Sequence, residues 1–167
     1  MNNKDRVRRL TFLALFTAFA ILLSYVEFIL PPIYSAVPGI KLGLPNVAIV
    51  LALYRYGVRD AAAVSLVRLA VVAMLFGNPV TFIYSFAGAA LSLALMSILK
   101  RLDFLSETGV SVAGAVSHNL GQIAVAMILL RTAELGYYMI VLAVTGTVAG
   151  IFVGLLGKLL IKRLEKI

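Results

Sequence analysis

Six apolar runs, each closed by charged or turn-forming residues, divide the chain. The first extends from about Leu10 to Leu30 and stops at Pro31-Pro32. A turn-rich stretch from Ile33 to Lys41 follows, with Pro38-Gly39 at its centre. The second run, about 42–56, is short and has Pro45 near its start, and Gly57 with Arg59-Asp60 separates it from the third, about 61–76. Gly77-Asn78-Pro79 turns the chain into the fourth, about 80–99. Lys100-Arg101 and a polar linker lead to the fifth, about 110–130, and a short loop from Arg131 to Gly136 leads to the sixth, about 137–161. The runs are continuous, without the period-two alternation of a membrane β-barrel. A spanning helix needs roughly 20 mainly apolar residues, with a range of about 17–25. The pattern predicts an all-α integral membrane protein, a six-transmembrane-helix bundle forming a single membrane domain over 1–167.

Composition sharpens this. Of the 167 residues 62% are hydrophobic and 13% charged, and the mean hydropathy is +1.05. A soluble domain has nearer half apolar and a quarter charged residues, so too few polar groups are available to cover a soluble surface. There is no Cys, which excludes disulfides, thiolate metal sites and a Cys nucleophile.

The net charge of +8 reports topology before it reports a nucleic-acid partner, and none is expected. Lys4, Arg6, Arg8, Arg9, Arg55, Arg59, Lys100, Arg101, Lys158, Lys162, Arg163 and Lys166 fall on one side of a six-span arrangement, and only Lys41 and Arg131 on the other. The positive-inside rule then puts both termini in the cytoplasm of a multi-pass cytoplasmic-membrane protein. The first run has a basic start like a signal peptide, but it is too long and lacks a small-residue cleavage site, so it is expected to stay.

Candidate chemistry is sparse. No Gly-rich phosphate loop ends in Lys-Ser or Lys-Thr. The seven acids are scattered and the single His has no strong ligands nearby, so neither a Mg²⁺ pair nor a zinc site is expected, and no cofactor. Catalytic residues are therefore not assigned. Arg68 stands out. Nine residues into the third run it lies about 14 Å deep, where a charge costs at least about 2.5–3.5 kcal/mol and needs a partner. The only acid in a predicted span, Glu27, sits near the outer end of the first run. Arg68 either receives a ligand anion or acts as a structural clamp on carbonyls, polar side chains or a tilted Glu27. On the fifth run His118 and Gln122 share a face four residues apart and Asn119 widens it. This stripe either lines an outward-opening cavity or makes interhelical hydrogen bonds, worth on the order of 0.6 kcal/mol each. Asn46 and Asn78, beside prolines, and Lys41 close to Asn46 either cap the pocket mouth or simply form turns. Ala14 and Ala18 share a stripe on the first run, and Gly146, Gly150 and Gly154 repeat every four residues on the sixth; on spacing alone both read as internal packing.

The stretches Lys41-Leu-Gly-Leu-Pro-Asn46, Leu66-Val-Arg-Leu69 with Leu75-Phe-Gly-Asn78, and Val116-Ser-His-Asn-Leu-Gly-Gln122 resemble the family of heptaprenyl diphosphate synthase component I, or Gx transporter, along nearly the whole chain. The architecture is also similar to the substrate-binding S components of energy-coupling factor transporters, six-helix proteins with an Ala-xxx-Ala motif on the first helix. Ala14 and Ala18 match that motif. This resemblance implies a membrane subunit that binds an anionic or amphiphilic molecule such as an isoprenoid or quinone precursor. Its implied partners are a transmembrane coupling subunit meeting Ala14 and Ala18, and ATPases, with membrane lipid around the bundle. The first label implies instead a non-catalytic component assisting a soluble prenyltransferase, but the small size, the lack of an ATPase motif, the outward polar stripe and the intramembrane Arg favour the S-component expectation. A channel or ion-coupled carrier would need intramembrane carboxylates, of which only Glu27 is available.

The topology has a direct test. Single cysteines at Lys41 and Arg131 are expected to react with an impermeant thiol reagent in whole cells, and one at Lys100 is expected to stay unlabelled. Labelling at Lys100 contradicts the arrangement.

Overall fold

The computed structural model describes residues 2–29 and 43–164. They form α1 (Asn3–Ile29), α2 (Asn46–Tyr56), α3 (Val58–Leu75), α4 (Pro79–Leu102), α5 (Glu107–Leu130), a 3-10 turn (Ala133–Tyr138) and α6 (Met139–Leu164). No strand occurs among the described residues. All six expected helices are present, with shifted ends. α1 begins seven residues before the apolar run, because its basic first turns are helical with Asp5 near the positive end of the helix dipole. α3 likewise takes in Arg59 and Asp60.

Four helical stretches are long and apolar enough to cross a membrane: α1, α4, α5 and Ala133–Arg163. The other two are weaker candidates. α3 carries Arg59, Asp60 and Arg68 among its 18 residues. α2 has 11 residues and rises only about 16 Å. Gly43, Leu44 and Pro45 form a turn rather than helix, which removes the first part of the expected second span.

α2 is the centre of the molecule. Every residue from Val47 to Leu53 is buried, in keeping with a helix that is apolar all round. It packs on α1, α3 and α6, while α3–α4, α4–α5 and α5–α6 complete a ring around it. Gly57, at φ 96°, supplies the left-handed turn into α3 and donates its N–H to the carbonyls of Ala52 and Leu53. Lys100 caps the same end, its Nζ donating to Leu53 O at 2.6 Å while lying 4.9 Å from the Tyr54 ring centre. Arg9 Nε and Nη2 donate to the two carboxylate oxygens of Asp60 at 2.8 and 2.7 Å, fixing α1 to α3 at this basic end. Because Lys100 has this role, exposed Arg101 is the cleaner site for a cysteine probe.

The small-residue stripes divide. A Cβ at Gly150 would sit 2.6 Å from Val112 Cα, and one at Gly154 2.7 Å from Thr108 Cα, so α5 and α6 meet backbone to backbone. Gly88 and Gly121 do the same for α4 and α5. Ala14 and Ala18 instead are exposed, opposite the buried stripe of Phe16, Ala20 and Ser24. Internal packing is thus corrected for α1 within this chain: the inward face of that helix uses other residues.

Gly150→Val is expected to lower the thermal midpoint in detergent, since overpacking costs about 1–3 kcal/mol. Gly157→Ala, whose nearest neighbour is the Val50 methyl at 3.3 Å, is expected to leave it within a few degrees. Equal melting of Gly150→Val and the parent protein contradicts the close approach.

Candidate functional site

A half-length α2 leaves space above its first residue. The cavity there, about 40 Å³, is lined by Asn46 at the start of α2, Arg68 of α3, His118, Asn119 and Gln122 of α5, Glu27 of α1 and Ser85 of α4. Arg68 is ten residues beyond Val58, and Asn46 is eleven before Gly57, so both lie about 15 Å from the α2–α3 turn. Five of the seven residues expected to bind substrate therefore converge. Lys41 lies outside the described residues.

Asn78, the seventh, stands in an adjoining chamber of about 240 Å³. Ser24, Phe28, Val72, Phe76, Thr81 and Phe82 line this chamber, and it shares Glu27, Arg68 and Ser85 with the first. Phe28 and Phe76 stack across it with ring centres 5.2 Å apart. Asn78 also works locally: its side chain accepts from Thr81 N while Thr81 Oγ1 accepts from Asn78 N, a reciprocal cap on α4.

Arg68 is 9% exposed. Its Nε is buried without a hydrogen-bond partner among the described residues, an arrangement that calls for an explanation in a folded protein. Glu27 acts on it electrostatically. Glu27 Oε1 accepts from Leu44 N at 2.8 Å, tying α1 to the entry of α2. Glu27, expected near the outer end of the first run and open as a clamp partner, stands on the same walls as Arg68.

Asn119 serves two roles. Its Nδ2 donates to Leu142 O of α6 at 2.9 Å, so the interhelical reading holds for that donor while the residue still lines the cavity. Ser117 turns away, its hydroxyl donating to Gly114 O. Glu27 and Ser85 were not among the sequence candidates. Each lies on a legible stripe: Phe16, Ala20, Ser24 and Glu27 at spacings of four, four and three, and Thr81, Ser85, Gly88 and Ser92 at four, three and four.

At about 10–15 Å³ per water-sized group, the first chamber accommodates only a few atoms. Its cationic, hydrogen-bonding lining suits a compact anionic head. The larger chamber, with three Phe rings, suits an apolar remainder. No group of three or more His, Cys, Asp or Glu side chains with metal-holding geometry occurs among the described residues.

Arg68→Gln is expected to weaken binding of inorganic pyrophosphate at least about tenfold, from the roughly 1.5–3 kcal/mol of a charge-assisted bond. Arg68→Lys is expected to recover only part, lacking the planar fork. The Glu27→Gln/Arg68→Gln pair separates binding from support. If Arg68 merely balances Glu27, the double variant regains stability that the single variant loses; if Arg68 binds the anion, titration calorimetry still shows the loss.

A family model described as heptaprenyl diphosphate synthase component I matches residues 16–160. No curated protein and no solved structure gives a significant match. The matched span includes α2–α5, most of α1 and α6, and every described residue of both chambers. The chain belongs to the heptaprenyl diphosphate synthase component I family.

Proposed function

We propose that this protein is the membrane-embedded, non-catalytic component of a heptaprenyl diphosphate synthase system, holding a prenyl diphosphate or a related amphiphilic anion for a separate enzyme component. The observation that carries this reading is the buried Arg68 guanidinium, with an unsatisfied Nε, at the junction of a small polar chamber and a larger aromatic one. One end of a diphosphate head matches the first by charge and hydrogen bonding, and the rest of the head with its isoprenoid tail matches the larger chamber, which shares Arg68 and has apolar walls. The scattered acids favour a chain that binds rather than catalyses, since Mg²⁺-assisted diphosphate chemistry draws on clustered carboxylates. In this reading the chain passes through the cytoplasmic membrane six times with both termini inside, α2 supplying only the inner half of its pass. Arg9 paired with Asp60, and Lys100 on the end of α2, mark the cytoplasmic end, and α2 and α3 form a hairpin whose turn lies there.

One observation favours a second reading, an S-component-like uptake subunit for the same class of molecule. Ala14 and Ala18 are exposed side by side on α1, where small side chains let a partner helix approach closely. That partner would be a transmembrane coupling subunit served by ATPases.

The test uses purified protein and farnesyl diphosphate. Binding is expected for the parent and to be lost in Arg68→Gln, with no chain elongation by this chain alone in the presence of Mg²⁺ and isopentenyl diphosphate. Elongation by the isolated chain overturns the non-catalytic assignment, and absence of binding overturns the ligand. Ala18→Trp separates the readings: loss of cellular uptake with binding intact favours the transport subunit, and loss of synthase activity on adding the enzyme component favours the synthase.

A further inference from the structure

α1 and α6 both pack on α2 but scarcely on each other. An apolar groove of about 330 Å³ runs between them, walled by Phe19 and Leu23 of α1 and Leu156, Leu159 and Leu160 of α6, with Val47 of α2 as its floor. At the basic end it is bordered by Arg163. Arg8 lies on the same stripe of α1 as the wall, since Arg8, Phe12, Phe19 and Leu23 are spaced by four, seven and four residues. Its guanidinium carbon is 5.9 Å from the Phe12 ring centre.

Dimensions select the occupant. From Arg163 back to Leu156 is about 10 Å, and from Arg8 to Leu23 about 22 Å, which brackets the roughly 15 Å of one leaflet's hydrocarbon. Spread over the roughly 10 Å of its α6 wall, 330 Å³ gives a mean cross-section of about 33 Å². A helix, about 10 Å across, needs more than twice that; a single hydrocarbon chain fits. We infer that this groove is a binding site for one anionic phospholipid of the cytoplasmic leaflet, its acyl chain between α1 and α6 and its phosphate received by Arg8 and Arg163. The site is distinct from the ligand chambers and from the Ala14–Ala18 face, which points away from the bundle.

The chain has no Trp, so one introduced indole reports the groove alone. Leu160→Trp, or Leu159→Trp should the first not fold, is reconstituted with brominated phosphatidylglycerol or brominated phosphatidylcholine, and Leu66→Trp on the exposed side of α3 serves as reference. Quenching at the groove is expected to favour phosphatidylglycerol by about fivefold or more, the contribution of one basic side chain near an anionic surface. The preference is expected to vanish in Arg8→Gln/Arg163→Gln and to be absent at Leu66→Trp. Equal headgroup preference at groove and reference means ordinary boundary lipid only and overturns the site. No quenching by either lipid at the groove means a protein segment fills it, which overturns it as well.

Discussion

An eleven-residue helix rises about 16 Å, half of the roughly 30 Å hydrocarbon layer, and α2 has that length. Its residues from Val47 to Leu53 are all buried, and its first residue, Asn46, lines the cavity beyond them. A helix of full length there would fill the interior with backbone and aliphatic side chains. Stopping it at Pro45–Asn46 instead yields a lined space at mid-depth, into which α3, α4 and α5 turn Arg68, Ser85, His118 and Gln122. The cost of burying a guanidinium is tolerable only because this space is polar.

The two halves of the bundle are joined by different means. On one side α4, α5 and α6 interlock through Gly88, Gly121, Gly150 and Gly154, with helix backbones too close for a Cβ between them. Dense contact of this kind resists small displacements. On the other side α1 meets its neighbours through bulky rings, Phe12 and Phe16 each about 6.4 and 6.3 Å from Tyr56, and through the Arg9–Asp60 fork. The α5 residues of the site therefore stand on the rigid slab, whereas Glu27 and Phe28 stand on the half held by side chains.

What could be read from the sequence follows from what each signal encodes. Apolar runs located all six helices, because burial in lipid and helix length act on contiguous residues. Arg68 and the His118–Gln122 stripe were legible because a charge or a cluster of amides inside an apolar run is energetically conspicuous. Glu27 was legible as the one acid in a predicted span but not as a wall of the cavity, and Ser85 carried no signal beyond its spacing, since a lone hydroxyl costs little and only the packing of α1 and α4 decides where they point. The shortness of α2 was legible in the short second run and its Pro45, but not its start: Leu42, Gly43 and Leu44 continue the apolar run in sequence, whereas Gly43 to Pro45 form a turn before the helix. Alternate glycines and alanines gave the same spacing on α1 and α6, and spacing alone carries no information about which face a neighbour occupies.

The Arg9–Asp60 fork also makes α1 a lever. Arg9 and Glu27 are eighteen residues apart, about 27 Å along a continuous helix. Rotation by about 5° around the pinned end carries Glu27 sideways by about 2 Å, by simple geometry on that length. Such a displacement is comparable with the difference between an ion pair and a gap. The spacing between the Glu27 carboxylate and Arg68 thus depends on the tilt of α1 at its Arg9–Asp60 end as well as on the Glu27–Leu44 hydrogen bond beside the site.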